Sequence, residues 1–290
     1  MKILILGGGG MLGHKLVQIL QTDFDVWLSL RSGYEKYEKF GIFEKHKIVE
    51  GLNVLDFKKL KKAIKKVKPD VVINAVGIIK QLPSSEDVIN TVSTNSILPH
   101  QLSQICLENK CYFIHISTDC VFDGKKGNYT EEDVSNASDL YGRSKSLGEV
   151  INENGVTFRT SIIGRELFTK HSLVEWFLSN QGKRINGFVN AIYSGFPTIT
   201  LAEIISQLLK NEIFLKGLYH ISSNPINKFE LLKLLKIAYK IDVEIEPFED
   251  FKIDRSLNSD KFRKKTVFYP LGWEEMIEAM VNDKTRYQNK

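Results

Sequence analysis

The chain has 290 residues, of which 42% are hydrophobic and 26% are charged, and its net charge is +5 at pH 7. This length allows a sizeable buried core and predicts two lobes. The longest uncharged apolar run, residues 71–79, is interrupted by Asn74 and Gly77 and is far shorter than the roughly 20 residues of a transmembrane helix. The first residues lack a signal-peptide pattern, so we expect a cytoplasmic protein.

The positive charge does not indicate a nucleic-acid-binding protein. Residues 56–67 place apolar side chains at helical spacing and fill the other positions with lysines, which is typical of a solvated amphipathic helix. No groove-reading motif is present, so nucleic acid is not an expected partner, whereas an anionic small substrate would suit the charge. Cys106, Cys111 and Cys120 lack metal-binding spacing, which predicts reduced thiols and no metal.

The N-terminal segment has the pattern of a dinucleotide-binding turn. A short apolar strand at residues 2–6 leads directly into a glycine-rich turn, and an apolar helical stripe follows it. Glycines spaced three apart allow a tight turn and close approach of the backbone to a pyrophosphate, and the helix N-terminus offers it free N–H groups. The predicted cofactor contacts are Gly7, Gly10, Met11, Leu12 and Gly13.

A second strand is predicted at residues 25–30, and Arg31 and Ser32 follow it where the ribose-binding residue is expected, about twenty residues after the turn. An acidic residue there would bind the ribose 2′-hydroxyl of NAD(H), whereas arginine accommodates the 2′-phosphate of NADP(H). The sequence therefore predicts NADP(H), with Arg31 and Ser32 at the adenosine ribose.

The next elements predict a parallel sheet. A short strand at residues 48–54 ends near Asp56, and a later apolar strand closes with Asn74, Ala75 and Gly77. Continuous apolar strands that alternate with helices are typical of a doubly wound α/β sheet, the Rossmann arrangement, covered on both faces. We expect Asp56, Asn74, Ala75 and Gly77 to contact the cofactor.

A helical pattern covers residues 86–109 except for Pro99, which removes one N–H and displaces the carbonyl of Asn95. Either this carbonyl binds a water near the active site or the helix is simply broken in two. The strand at residues 111–117 comes next, and Thr118 lies at its carboxyl end, where ligands bind in doubly wound sheets. Thr118 is therefore a candidate hydrogen-bond donor to a carbonyl oxygen.

Tyr141 and Lys145 lie four residues apart in the next predicted helix, which Asp139 can cap. This spacing places both side chains on one helix face. An ammonium near a phenol favours the phenolate, so the pair can exchange a proton with a carbonyl or alcohol. Leu147 and Ile151 are expected on the buried face of the same helix.

The sequences S-T-D-C-V-F-D-G at residues 117–124 and Y-G-R-S-K-S-L-G-E at residues 141–149, with the glycine turn, resemble the dTDP-4-dehydrorhamnose reductases of the extended short-chain dehydrogenase/reductase family. The resemblance implies reduction of the C4 carbonyl of a nucleotide-linked 4-keto-6-deoxyhexose by NADPH. It implies that Tyr141 donates the proton and that Thr118 binds the carbonyl oxygen. It also implies that Lys145 holds the nicotinamide ribose and lowers the pKa of Tyr141, so that both contact the cofactor.

Two positions depart from the pattern of these reductases. Cys120 stands where they usually have tyrosine, and Ile162 stands where they have tryptophan. A UDP-linked 2-acetamido-2,6-dideoxy-4-hexulose is one alternative substrate, and an epimerase-reductase that uses Cys120, as GDP-fucose synthase does, is another reading. A non-catalytic subunit similar to the regulatory subunit of methionine adenosyltransferase is a third. The expected substrate contacts are Asp119, Cys120, Ile162 and Arg255.

The resemblance is strong over the first 165 residues and weaker after them. It predicts an NADP(H)-binding Rossmann domain at residues 1–164 and a smaller lobe, mainly for substrate, at residues 165–290, from which some elements can return to the first domain. Helices are expected at residues 172–178, 201–209 and 229–239, with a strand at residues 217–222.

Basic residues of the second lobe are candidates for the substrate diphosphate, because arginine offers phosphate a bidentate fork. These candidates are Arg165, Lys183, Arg184 and Arg255. The expected partners are a nucleotide-sugar substrate and a second copy of the chain, in a homodimer.

Overall fold

The computed structural model describes residues 1–80 and 86–287. The strands are β1 (Lys2–Leu6), β2 (Asp25–Ser29), β3 (Ile48–Val49), β4 (Val71–Asn74), β5 (Tyr112–Thr118), β6 (Gly155–Thr160), β7 (Ile162–Ile163), β8 (Arg184–Tyr193), β9 (Phe196–Pro197), β10 (Gly217–His220), β11 (Ile226–Asn227) and β12 (Glu244–Asp254). The α-helices are α1 (Gly13–Leu20), α2 (Phe57–Val67), α3 (Val88–Val92), α4 (Leu98–Glu108), α5 (Leu140–Leu147), α6 (Leu173–Leu178), α7 (Thr198–Lys210), α8 (Lys228–Tyr239), α9 (Asp260–Thr266) and α10 (Trp273–Val281).

Among the described residues, seven parallel strands form the central sheet, in the order β10-β6-β5-β4-β1-β2-β3. Successive side chains of a strand point to opposite faces, so β1 contributes to two cores. Ile3 and Ile5 pack with residues of α1 and α7, whereas Leu4 and Leu6 pack with residues of α2 and α4. Helices therefore cover both faces, which confirms the predicted doubly wound Rossmann sheet.

The helical region predicted at residues 86–109 is a single helical run. α3 passes through a π-helical turn at residues 93–97 into α4, of which Pro99 is the second residue. The wider π turn interrupts the regular backbone hydrogen bonds just before the proline, so its ring is accommodated without a break. The expected division into two helices is therefore wrong. The Asn95 carbonyl is covered by Gly148, where a Cβ would lie 1.8 Å from its oxygen.

α5 is shorter than the sequence indicated. It ends at Leu147, and the side chains of Leu147 and Ile151 are 66% and 67% exposed, so their predicted burial is wrong. The packed face of α5 carries Gly142, Ser144 and Lys145 instead. The reason is the close approach of α5 to the π turn, which leaves no room for large apolar side chains between them.

Beyond residue 164 the chain forms a smaller layer and also returns to the main sheet. β8 pairs with β11 in antiparallel and with β12 in parallel orientation, and α8 packs against this small sheet. β10 pairs with β6 at the edge of the main sheet, and α7 packs beside α1. Residues 217–220 thus belong to the Rossmann layer, as the sequence analysis allowed, and the boundary at residue 164 stays a prediction.

Two general features complete the description. Within residues 1–80 and 86–287, no helix is long and apolar enough to cross a membrane. The three cysteines are free thiols, of which Cys106 and Cys111 are buried and Cys120 is half-buried. Cys120 is therefore the cysteine that a ligand can reach.

Candidate active site

The turn after β1 has the geometry of a nucleotide-binding turn. Gly7 has a left-handed φ of +83°, and its carbonyl oxygen accepts a hydrogen bond from Gly10 N at 3.0 Å. A Cβ on Gly13 would lie 2.0 Å from the same oxygen, so only glycine fits at the start of α1. Leu12 provides no side-chain cap and Met11 is half-buried beside it. His14 N donates to the Gly10 carbonyl oxygen at 3.1 Å, so the N–H groups that can bind a ligand are those just before it, at residues 11–13.

The residues predicted at the adenosine ribose lie beyond the carboxyl end of β2. Arg31 is exposed there, and Ser32 is half-buried. Asp56 has a structural contact instead: as N-cap of α2, its carboxylate accepts a hydrogen bond from Lys59 N at 3.1 Å. The contacts of Asp56 thus give no support to its predicted role in cofactor binding.

The backbone that follows β4 lies against the glycine turn. A Cβ on Gly7 would lie 3.2 Å from the carbonyl oxygen of Ala75, and Gly77 is exposed two residues later. The Asn74 side chain is buried, with its Nδ2 3.1 Å from His115 Nδ1. A cofactor contact at this strand would therefore fall to the backbone of residues 75–77, not to the Asn74 amide.

Thr118 and Tyr141 meet at the carboxyl end of β5, as predicted. The Thr118 hydroxyl accepts a hydrogen bond from Cys120 N at 3.2 Å and donates one to Asp119 Oδ1 at 3.1 Å. Asp139 caps α5 by accepting from Gly142 N at 3.0 Å, which places Tyr141 in the first helical turn. A Cβ on Gly142, the next residue, would lie 2.3 Å from the Cys120 carbonyl oxygen, so the start of α5 brings Tyr141 close to Thr118.

Lys145 lies one turn after Tyr141 and points to the same strand. Its Nζ donates to the Ile116 carbonyl oxygen at 2.7 Å. Burial lowers the pKa of Lys145 to about 8, and the nearby charge of Glu149 partly opposes this. Burial likewise raises the pKa of Tyr141 well above its ordinary value, and the nearby Thr118 hydroxyl acts in the opposite direction. The lowering of the Tyr141 pKa that the resemblance implied is thus outweighed by burial in this structure.

A buried ion pair supports the carboxyl end of β5, where Thr118 lies. Both carboxylate oxygens of Glu149 accept hydrogen bonds from Arg159, at 2.7 Å from Nε and 2.6 Å from Nη2. The Ser117 hydroxyl donates to the same carboxylate at 2.7 Å, and Arg159 Nη1 lies 3.2 Å from His220 Nε2. The pair therefore connects the residue before Thr118 with the end of α5, with β6 and with β10.

The Asn95 side chain also holds α5 in place, which the sequence analysis did not predict. Its Oδ1 accepts from Ile78 N at 2.9 Å, and its Nδ2 donates to the Ser144 hydroxyl at 3.2 Å. Ser96 Oγ donates to the Ser144 carbonyl oxygen at 2.7 Å. The π turn thus holds α5 against the loop that follows β4.

Three of the four predicted substrate contacts, Asp119, Cys120 and Arg255, lie together at the segment that follows Thr118. Arg255 donates from Nε to the Phe122 carbonyl oxygen at 2.8 Å, and its Nη1 lies 3.8 Å from Cys120 Sγ. Burial raises the pKa of Asp119, and Arg255 opposes this shift. Burial and the Asp119 charge raise the pKa of Cys120 to about 12. Ile162 is half-buried in β7, which directly follows the strand paired with β5.

The chain matches the family model described as RmlD substrate binding domain over residues 1–286. It belongs to this family. The membership confirms the resemblance stated from the sequence, because the dTDP-4-dehydrorhamnose reductases are among the relatives found.

Two curated relatives and one solved structure illustrate the similarity. The chain is 25% identical to dTDP-4-dehydrorhamnose reductase of Aggregatibacter actinomycetemcomitans over 234 residues, covering 77% of this chain and 74% of that protein. It is 25% identical to methionine adenosyltransferase 2 subunit beta of Xenopus tropicalis over 258 residues, covering 83% and 72%. A crystal structure of dTDP-4-dehydrorhamnose reductase from Bacillus anthracis in complex with NADP superposes with a TM-score of 0.79, at 19% identity and with coverages of 96% and 98%.

Three of the four basic residues predicted to bind a diphosphate lie elsewhere in this RmlD-family chain. Arg165 Nε pairs with Glu175 at 2.6 Å. Arg184 is an exposed residue of β8 that pairs with β12, and Lys183 is exposed beside it. Arg255 is the candidate that contacts the segment after Thr118.

Two residues near this segment were missed by the sequence analysis. Lys228, the first residue of α8, holds its Nζ 4.2 Å from the ring centroid of Tyr193, at the end of β8. The charge of Asp119 affects the pKa values of both, so they lie near the carboxyl end of β5. The sequence signal that could have identified Lys228 is a lysine at the start of a helix, where the helix dipole disfavours a cation. In the described part of the chain, no His, Cys, Asp and Glu cluster could hold a metal ion.

Proposed function

We propose that this RmlD-family protein uses NADPH to reduce the C4 carbonyl of a nucleotide-linked 4-keto-6-deoxyhexose in the cytoplasm. The observation that carries the proposal is the meeting of Thr118, Tyr141 and Lys145 at the carboxyl end of β5, in the same sheet as the glycine turn. Similarity to a dTDP-4-dehydrorhamnose reductase supports the substrate class.

The residues at the sheet edge fit a dinucleotide cofactor. Gly7 and Gly13 leave a cradle that a Cβ would fill, and no side chain caps the start of α1, so the N–H groups of residues 11–13 can bind a pyrophosphate. Arg31 is exposed where a 2′-phosphate is expected, and the NADP complex of a protein with the same fold agrees with this choice. The cofactor would supply the hydride, and Lys145 would hold its nicotinamide ribose.

The remaining step is protonation of the carbonyl oxygen. Because burial raises the pKa of Tyr141 above its ordinary value, the phenol carries its proton at neutral pH and can donate it. Thr118 lies near Tyr141, and its hydroxyl, which donates to Asp119 Oδ1 in this structure, would turn to donate to the substrate carbonyl oxygen. The Lys145 ammonium, one turn away on the same helix face, would then stabilise the phenolate that remains.

A UDP-linked 2-acetamido-2,6-dideoxy-4-hexulose is a second candidate substrate. Cys120 and Ile162 replace the larger tyrosine and tryptophan of the resembling reductases, and neither side chain is fully buried. The smaller residues leave room for an additional substituent on the sugar. An epimerase-reductase is less well supported, because a Cys120 thiol with a pKa of about 12 carries little thiolate at neutral pH.

A non-catalytic binding subunit is the candidate from another class, and similarity to methionine adenosyltransferase 2 subunit beta supports it. The intact Thr118, Tyr141 and Lys145 favour catalysis. Co-purification with a methionine adenosyltransferase from the same organism, without turnover of any sugar, would favour the subunit.

The deciding experiment follows NADPH oxidation with dTDP- and UDP-linked 4-keto-6-deoxy sugars, with and without a 2-acetamido group. We expect turnover of one of them, and a loss of about a hundred- to ten-thousandfold in Tyr141→Phe. Tyr269→Phe is the control, because this tyrosine is 74% exposed. No turnover of any sugar by a protein that still binds NADPH would overturn the proposal.

A further inference from the structure

The loop between β7 and α6, residues 164–172, closes on itself through its own hydrogen bonds. The Ser172 hydroxyl donates to the Gly164 carbonyl oxygen at 2.9 Å, which joins the two ends of the loop. Glu166 Oε2 accepts from the backbone N–H of His171 at 2.8 Å. Compact surface loops whose ends lie close together are frequently functional. This loop is here called the strap, and the reaction proposed above gives it no role.

Aromatic packing joins the strap to the segment that follows β2. The ring centroid of Phe168 lies 5.1 Å from those of both Tyr37 and Phe40, and the rings meet nearly at right angles. The Nζ atoms of Lys36 and Lys39 lie 4.6 and 5.3 Å from the centre of the Phe168 ring. Edge-to-face rings and cations over a ring are favourable contacts. Across the described residues, no hydrogen bond or ion pair joins the two segments, so they can separate without breaking backbone hydrogen bonds.

The strap lies beside the glycine turn and the start of α1. Tyr37, a partner of the strap, packs against the turn itself, because a Cβ on Gly9 would lie 2.5 Å from its ring. Nearer the base of the strap, the guanidinium carbon of Arg165 lies 4.6 Å from the centre of the Tyr287 ring. The Tyr287 hydroxyl lies 3.0 Å from Nε2 of His14, in the first turn of α1. The contacts of the strap thus flank the backbone N–H groups that can bind a pyrophosphate.

The sheet topology shows what the strap crosses. It leaves the main sheet after β6, whereas Tyr37 follows β2, and β5, β4 and β1 lie between these two strands. Four strand spacings amount to roughly 19 Å, and because the strands are parallel both segments start from the same edge. Leu167 of the strap is 3% exposed in the core beside α1 and α7, so the connection passes on that face. The strap and the segment after β2 therefore bridge the carboxyl edge of the sheet, where dinucleotides bind.

We propose that the strap closes over bound NADP(H) and slows its release, with Phe168 as the latch against Tyr37 and Phe40. Lys36 and Lys39 are exposed and have no carboxylate partner in the described residues, so the latch carries positive charge that suits an anionic dinucleotide. Because opening breaks side-chain contacts alone, cofactor exchange can proceed in each catalytic cycle. The inference rests on the proposed function for the identity of the cofactor and not for that of the sugar.

The first measurement is the rate at which NADPH leaves the protein. Stopped-flow fluorescence follows the displacement of bound NADPH by excess NADP⁺ in the wild type and in Phe168→Ala. We expect the dissociation rate constant to rise about ten- to a hundredfold in the variant, because two aromatic contacts of the latch are lost. Phe168→Tyr keeps the ring and is expected to release NADPH like the wild type.

Phe214→Ala is the matched control. Phe214 also packs edge-to-face on a tyrosine, with its ring centroid 5.0 Å from that of Tyr112, and it is 41% exposed. Tyr112 is the first residue of β5, at the opposite edge of the sheet from the glycine turn. Both alanine variants are expected to lose stability in chemical denaturation, but only Phe168→Ala is expected to release NADPH faster.

Hydrogen exchange tests the closing of the strap itself. Bound NADPH is expected to slow exchange of the backbone amides of residues 165–172 in the wild type, and this protection is expected to be lost in Phe168→Ala. Faster release with the protection intact would place the effect outside the strap and overturn the proposal.

The remaining outcomes separate the latch from the proposed function. An unchanged dissociation rate constant in Phe168→Ala would overturn the latch. If that variant does not fold, Phe168→Leu, which keeps apolar bulk without a ring, takes its place with the same expectation. A wild type that binds NADPH but reduces no sugar would refute the proposed function, while the release rates would still decide the latch. A wild type that does not bind NADPH would refute both.

Discussion

Burial shifts the pKa values of Tyr141 and Lys145 in opposite directions. The pKa of the phenol is raised well above its ordinary value and that of the ammonium is lowered to about 8, because burial disfavours the charged form of each group. Tyr141 therefore stays protonated over the working pH range. Lys145, with a pKa below its ordinary 10.5, is charged below pH 8 and neutral above it.

This difference predicts a pH dependence of catalysis. We expect kcat for reduction to fall as the pH rises above about 8, because the ammonium that stabilises the Tyr141 phenolate is then lost. The measurement is a pH profile of kcat at saturating substrate for the wild type and for Lys145→Arg. Arginine stays charged, so its profile is expected to be flat across this range although its kcat is lower. The same fall in both proteins would show that another group titrates.

At the scale of elements, the Glu149–Arg159 pair holds the carboxyl end of β5 in position. Both side chains are about 5% exposed, and their hydrogen bonds join the ends of α5, β5 and β6. We expect Arg159→Met to lower the free energy of unfolding by about 3–5 kcal/mol, because it leaves the Glu149 carboxylate buried and unpaired. Chemical denaturation measures this loss.

Arg184→Met is the matched control for that variant. It breaks an ion pair with Glu244 in which both side chains are about 60% exposed, so its stability is expected to change little. Equal losses in the two variants would mean that burial of the Glu149–Arg159 pair has no special effect.

The elements also show which features a sequence can predict. The glycine turn, the strand before Thr118 and the Tyr141–Lys145 helix follow from local spacing, and the structure has them where they were expected. The exposure of Leu147 and the packing of Asn95 depend on how closely α5 approaches the π turn, which is a tertiary property. Lys228 and Tyr193 were missed for the same reason: residues from two distant elements meet only in the folded chain.

For the whole molecule, the exposed face of α3, the π turn and α5 bears on the predicted homodimer. Ile89, Ile97 and Leu147 are 81%, 44% and 66% exposed, and His100 Nε2 bonds to the Leu147 carbonyl oxygen at 2.8 Å, so these elements are neighbours. Adjacent exposed apolar side chains favour a protein interface.

We expect light scattering after gel filtration to give a dimer for the wild type and a monomer for Leu147→Glu. Val267→Glu, at another exposed apolar residue, should leave the mass unchanged; a monomeric wild type would contradict the prediction.

A C-terminal segment of the chain packs against α1, the helix that follows the glycine turn. Lys15 of α1 forms a buried ion pair with Asp283, and His14 lies between the Gly10 carbonyl and the Tyr287 hydroxyl, at 2.8 and 3.0 Å. Burial alone would raise the pKa of Asp283, but Lys15 lowers it to about 2. The C-terminal segment therefore fixes the helix that follows the glycine turn.

Asp283→Asn should lower the free energy of unfolding at pH 7 by about 3–5 kcal/mol, because the buried Lys15 ammonium is left unpaired. Since the folded pKa of Asp283 is below its unfolded value, this contribution is complete above about pH 4 and is lost toward pH 2. Denaturation curves of wild type and variant should therefore differ at pH 7 and converge on acidification. Asp23→Asn, which breaks a more exposed pair with Lys210, is the control and should match the wild type throughout.

NADPH affinity gives a second measurement. It is expected to fall in Asp283→Asn but not in Asp23→Asn, because α1 is held less firmly when its ion pair with Asp283 is lost. Unchanged stability and affinity in Asp283→Asn would show that the C-terminal segment does not support α1.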